Sequence, residues 1–165
     1  MNAEQIIEHY GMRPIPLEGG YLREMHYFNI PIAKEALPAK YPNGRLISNT
    51  ILFLVTKDSF SRMHRLPTDE VYHFYMGDPV EQLQLLPDGT GRIIRLGHDI
   101  LNGDSLQYAA PAGCWHGTRL VDGGEWALMG TTMAPAWDES DYIDVVREDL
   151  IQQWPEFEAA IIIRT

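Results

Sequence analysis

Three side chains in this sequence have the types and order that small-site chemistry needs: His64, Glu70 and His116. His64 and Glu70 lie in FSRMHRLPTDEVYHFYMG (Phe60–Gly77), on two short apolar segments joined by a Pro-containing turn. His116 closes a later cluster, PAGCWH, starting at Pro111. Two imidazoles and a carboxylate brought together from separate strands suit a divalent metal, or a histidine whose tautomer is set by the carboxylate. Strand parity assigns the neighbours. If 60–66 is extended, Phe60, Arg62, His64 and Leu66 share a face; on the next strand Glu70, Tyr72, Phe74 and Met76 share one, with Val71, His73 and Tyr75 opposite. His64 and Glu70, flanking the turn, are then expected to approach each other.

Further candidates follow from this frame. Tyr72 offers a hydroxyl for acid catalysis or substrate contact, and Phe74 lines the same wall. Arg62 is the expected holder of a substrate carboxylate or phosphate, since guanidinium gives paired donors; the competing role is a rim salt bridge. Gln82 and Gln84 point inward if Val80 does, and would read a hydroxylated ligand. Glu18, beside Gly19-Gly20, is a candidate for the site's edge, because glycine allows close approach. His73 belongs on the opposite face by parity, and joins the substrate-binding set only if a bulge reverses it. His116 follows a Pro-x-Gly turn and is either a site residue or a strand-end surface histidine. His9, His26 and His98 read as surface or loop residues, and Cys114 as no nucleophile, with no base near it in sequence.

The elements that must position these groups are mostly strands. A helix is expected over residues 2–10, capped by Asn2 and stopped by Gly11. Pro14, Pro16 and Gly19-Gly20 then force a loop, followed by an extended stretch Tyr21–Phe28 and a connector carrying Pro31, Pro38 and Pro42. After the Asn43-Gly44 turn comes LISNTILFLVT, rich in Ile, Leu, Val and Thr. Strand-like runs recur at 60–66, 71–76, 80–86, 92–96, 105–109 and 126–133, separated by turn signals such as Pro87-Asp88-Gly89 and Asn102-Gly103-Asp104. This rhythm predicts an all-β sandwich or barrel, with helical character returning from Glu139 to about Ile151.

Composition narrows the function classes. The 165 residues suit a single domain, 1–165, with one sizeable core, and 45% hydrophobic content with mixed charge fits a globular chain. A formal net charge of −10 disfavours nucleic acid as a partner. No apolar run reaches the ~20 residues of a membrane helix, and MNAEQIIEHYGM lacks the pattern of a secretory signal. A single cysteine agrees with a reducing compartment, so the expected location is cytoplasmic and no membrane partner is expected.

The two clusters resemble the cupin motifs. The first runs G-x5-H-x-H-x3,4-E-x6-G, and His64, Glu70 and Gly77 match it, with Leu66 at the second histidine. The second runs G-x5-P-x-G-x2-H-x3-N; Gly103, Pro111, Gly113 and His116 match in order, with a longer first gap and Leu120 at the asparagine. PxxEGGY at 16–21, HRLPTDEVYHFYMGDP, PAGxW and MAPAW look like the cupin-5, or DUF985, family. The resemblance implies a double-stranded β-helix (cupin jelly roll) with short N- and C-terminal helices, a site inside the barrel, and usually a homodimer. Three of the four usual metal-ligand positions survive as His64, Glu70 and His116.

Three functions then compete. The first is a sugar or sugar-nucleotide isomerase or epimerase without metal, with His64 as base, Tyr72 returning a proton and Arg62 holding the anionic end. The second is a metal-dependent oxygenase or isomerase using Fe, Mn, Ni or Zn on the triad. The third is a binding module for a small polar metabolite.

Overall fold

Apolar residues alternating with polar ones drive much of the chain into strands, and the computed structural model, which describes residues Met1–Thr165, arranges these in two antiparallel sheets. The strands are β1 Arg13–Pro14, β2 Tyr21–Ile32, β3 Arg45–Thr56, β4 Ser61–Arg65, β5 Glu70–Gly77, β6 Val80–Leu85, β7 Gly91–Leu96, β8 Gln107–Ala110, β9 Trp115–Leu120, β10 Trp126–Met133 and β11 Ile143–Asp144. One sheet has the order β1-β2-β3-β10-β5-β8, the other β11-β4-β9-β6-β7. This is the expected all-β jelly roll, a double-stranded β-helix with short terminal helices.

Side-chain alternation splits each sheet between two environments. Phe53 and Val55 on β3, Tyr72 and Phe74 on β5, Val80 on β6 and Met129 on β10 fill the space between the sheets. Leu54 and Leu128 point the other way, under Ala3 and Ile6 of α1 (Ala3–Tyr10). On the second sheet Met63, Leu83 and Leu85 are covered by Leu150, Trp154 and Ile161, carried by α2 (Arg147–Gln153), α3 (Glu158–Ile162) and their junction. Each fully buried large side chain contributes about 1.5–3 kcal/mol, and the helices cover part of both outer faces. The predicted cap on α1 is present as a capping box between Asn2 and Gln5, with Gly11 in the left-handed conformation.

Four local expectations need correction. Strand β2 runs through Asn29–Ile32, part of the expected connector; β1 is too short to pair there, so Pro31 sits on a free edge, beside a register shift between Phe28 and Pro31. Trp115–Leu120 is a full strand, β9, pairing with both β4 and β6, where only a turn cluster was expected. The tail is not helical from Glu139: a short 3-10 turn over Glu139–Asp141 gives way to β11, and α2 starts at Arg147. Finally, a shift in β10·β5 pairing skips Tyr75, so Met76 leaves the face shared by Glu70, Tyr72 and Phe74.

Candidate metal and small-molecule site

Strand β4 carries an extra residue between Ser61 and His64, which pair with Thr118 and His116 of β9. The bulge turns both Ser61 and His64 toward the barrel while Met63 goes under the C-terminal helices. His64 Nδ1 lies 2.8 Å from the Arg62 carbonyl oxygen. A carbonyl only accepts, so Nδ1 carries the proton and Nε2 presents its lone pair to the interior. Burial lowers the His64 pKa, against the pull of the Glu18 carboxylate, and the imidazole is neutral.

His116 lies directly across from His64 on β9, the ring centroids 4.3 Å apart. Its Nε2 is 3.2 Å from Glu70 Oε2, and the same oxygen accepts the Tyr72 hydroxyl at 2.9 Å. Burial acts to raise the Glu70 pKa, but the hydrogen bond with His116, with a smaller one from Thr131, outweighs it and holds the carboxyl below its ordinary range. Tyr72, buried and facing that carboxylate, is pushed well above the usual phenol range and stays protonated. One ligand atom from each of His64, Glu70 and His116 lies within 4.8 Å of the others, and all three residues are buried. Cys114 Sγ is 3.9 Å from His116 Nδ1, closer to a base than the sequence suggested, but burial pushes its thiol up to about 12. The thiol is inert.

A loop delivers Glu18 to the same place. Leu17, Gly19 and Gly20 all have positive φ, so the chain doubles back tightly. A Cβ on Gly19 would stand 2.3 Å from the Phe60 carbonyl oxygen, which leaves room only for glycine. The Glu18 carbonyl accepts from Arg62 N (2.7 Å), and its Oε1 accepts from Ser61 Oγ (3.1 Å). Burial raises the Glu18 pKa, with His64 opposing and Glu70 adding to the rise. Tyr142, a residue the sequence did not single out, stacks on His64 with centroids 5.5 Å apart and planes at 17°. It comes from just before β11, far along the chain, and no motif spacing links it to His64.

Other candidates fall elsewhere. Arg62 is displaced by the bulge, and its Nη2 donates to the Thr165 main-chain oxygen at 3.2 Å, which ties down the C-terminal segment instead of facing a ligand. His73 lies on the outer face, as parity required: Nε2 is 3.0 Å from Thr132 Oγ1, and the ring stacks on Tyr75. No bulge brings it inside, so it leaves the substrate-binding set. Phe74 packs in the interior against the edge of the exposed His98. The expected approach of His64 to Glu70 is realised through His116, which takes the hydrogen bond to the carboxylate.

Gln82 and Gln84 do point inward and are fully buried. Gln82 Nε2 donates to Thr118 Oγ1 (3.0 Å), and Gln84 Nε2 donates to Gln82 Oε1 (2.6 Å) and the Ala109 carbonyl (3.0 Å). Arg92 Nε in turn donates to Gln84 Oε1 at 3.0 Å, its guanidinium over the Tyr108 ring. Register places His64, His116, Gln84 and Arg92 side by side across β4, β9, β6 and β7.

The family model described as Cupin superfamily (DUF985) matches residues 4–143. The chain belongs to this cupin family. Among solved structures, a hypothetical protein from Leishmania major resembles this cupin with 28% identity and a TM-score of 0.88, covering 100% of this chain and 99% of that one. A protein from Shewanella oneidensis does so with 24% identity and a TM-score of 0.84, covering 100% and 98%. A cupin 2 domain-containing protein from Halorhodospira halophila (13% identity, TM-score 0.56, covering 89% and 83%) shares the fold. So does Bacillus subtilis oxalate decarboxylase (12% identity, TM-score 0.53), of which this cupin spans 37% while 93% of its own length is covered. Among curated proteins no sequence match was found.

The donor set of this cupin fits a divalent metal. Two imidazoles and one carboxylate is a ligand combination used by Fe, Mn, Ni and Zn, and the Nε2 of His64 is already oriented by its Nδ1 hydrogen bond. Leu66, at the position of the fourth ligand, is buried and offers no donor.

Proposed function

We propose that this cupin is an enzyme that uses a divalent metal held by His64, Glu70 and His116 to act on a small anionic molecule. The observation that carries this reading is the meeting of three buried donors from three strands within 4.8 Å. A metal bound there would act as a Lewis acid on a substrate oxygen. The protein's own groups have separate tasks. Tyr72 fixes Glu70, the Arg62 carbonyl fixes His64, and Glu18, whose raised pKa brings it nearer the working range of an acid or base, sits where it can hold a proton. Arg92 takes the anion-binding role expected of Arg62: it ends the inward row, Gln84 fixes its Nε, and no carboxylate pairs with its terminal nitrogens. The Mn(II) centres of oxalate decarboxylase lie in the same type of barrel, a fold-level analogy alone.

A second reading keeps the site metal-free. Both His116 Nε2 and the Tyr72 hydroxyl address one carboxylate oxygen of Glu70, an arrangement suited to the acid–base work of a sugar or sugar-nucleotide isomerase. In that case His64, whose Nε2 lone pair faces the interior, is the base, and His116 holds Glu70 in place. A non-catalytic binding module is the remaining outcome. In either case we take the chain to work as a cytoplasmic homodimer, with the exposed Met25, Phe28 and Ile30 of β2 as the apolar surface available for pairing.

Metal analysis of the purified protein and thermal unfolding with added Mn, Fe(II), Ni or Zn test the first reading. At a hundredfold excess over Kd, binding adds about 2.7 kcal/mol, a rise of roughly 5–11 °C for a chain of this size. Glu70→Gln is expected to abolish most of that rise. Protein that purifies without metal and shows no rise with any of the four would leave the metal-free reading in its place.

A further inference from the structure

Tyr142 is held in place more firmly than a covering residue requires. On one side Asp141 is clamped by Arg45, with Nη2 to Oδ1 at 2.6 Å and both side chains buried. On the other, Ile143 and Asp144 pair with Arg65 and His64 as β11. Between these anchors the Tyr142 ring lies nearly parallel over His64. Its hydroxyl is buried and meets no donor or acceptor of the protein. The other hydroxyls and amides around the triad have protein partners: Tyr72 with Glu70, Ser61 with Glu18, Gln82 with Thr118. Buried hydroxyls are normally satisfied, and one left over at the wall of a polar site points to a partner that arrives from outside.

We propose that Tyr142 is a ligand-binding residue of this site, its hydroxyl donating a hydrogen bond to a carboxylate or carbonyl oxygen of the small molecule bound over His64. The inference rests on the proposed metal-site reading for where that molecule sits, and on the geometry of Tyr142 for the rest. The Asp144 and Glu18 carboxylates and the Arg62 guanidinium are the charges that act on this hydroxyl, and the oxygen it meets is the far end of a molecule whose near end faces the triad.

Two measurements on wild type and Tyr142→Phe decide the matter. The first is urea unfolding of metal-free protein. Phe keeps the stack on His64 and removes an unpartnered hydroxyl, so the midpoint is expected to stay equal or rise. A clear fall in the midpoint would mean that the hydroxyl serves the fold, and would overturn the proposal. The second is titration of the Co(II)-loaded protein with oxalate, followed in the visible spectrum. Tyr142→Phe is expected to weaken oxalate about 3- to 10-fold with Co(II) affinity unchanged. Equal oxalate affinity in the two proteins would overturn it. A chain that takes up no Co(II) fails the metal reading alone; the oxalate titration is then made on the metal-free proteins by the rise in unfolding temperature, and an equal rise in wild type and Tyr142→Phe overturns the proposal.

Discussion

The Gly19 turn supplies the most direct test of how this barrel delivers Glu18. Replacing Gly19 by Ala imposes two separate costs. Its φ of +87° is left-handed, which for an L side chain costs about 1–2 kcal/mol. The new Cβ would also stand 2.3 Å from the Phe60 carbonyl oxygen and 3.5 Å from its carbon. That contact is with backbone, so the loop has to move, adding about 1–3 kcal/mol of overpacking and loosening the 2.7 Å bond from Arg62 N to the Glu18 carbonyl. Gly89 is the matched control: its φ is +89°, and an added Cβ there meets nothing within 4 Å. Gly89→Ala should therefore lose only the conformational part, about 1–2 kcal/mol, and Gly19→Ala about 2–5 kcal/mol in all. Urea unfolding followed by fluorescence of the four tryptophans measures both, at constant m. If Gly19→Ala proves no more destabilising than Gly89→Ala, the close docking of the loop on Phe60 is wrong, and with it the account of how Glu18 reaches the site.

Two further outcomes are expected. Cys114, with its thiol pushed up to about 12, should not react with a disulfide reagent at pH 8 in the folded protein and should release one equivalent in urea; rapid labelling of the native state would contradict its burial. Asp141→Asn removes the buried carboxylate partner of Arg45, leaving only the more exposed Asp138 at 3.8 Å, and is expected to cost about 3–5 kcal/mol, read by the same unfolding assay. A loss under about 1 kcal/mol would show that this ion pair does not pin the strap carrying Tyr142.

Strands β3, β6, β7 and β10 were legible because they are rich in Val, Ile, Leu and Thr, and β4 and β5 because Met, Tyr and Phe alternate with polar residues between clear turn signals. Strand β9 was not: Trp-His-Gly-Thr-Arg-Leu has one glycine and little apolar alternation, and it becomes a strand because β4 and β6 both pair with it. The triad's members were visible through motif spacing, yet its wiring was not. Pairing of Glu70 with His116 depends on which sheets face each other, and the loss of Arg62 from the inner face depends on one extra residue in β4. Parity carried His73 correctly outward because no bulge intervenes between Glu70 and Phe74, and it failed for Met76 because one follows. Tyr142 was invisible for a different reason. Its position follows from the Arg45–Asp141 clamp and β11, two long-range contacts with no local sequence signature.

The supply of His116 by β9 has a consequence for how the protein matures. Glu70 starts β5 and His64 lies next to the end of β4, whereas His116 arrives only after β6, β7 and β8 have been made. Closing such non-local pairings is the slow part of folding for β-rich topologies, which generally takes milliseconds to seconds. The three donors therefore have no common neighbourhood until β9 has threaded between β4 and β6. A metal captured by this triad would bind only chains that have completed that step, so metal uptake during refolding would time the insertion of one strand.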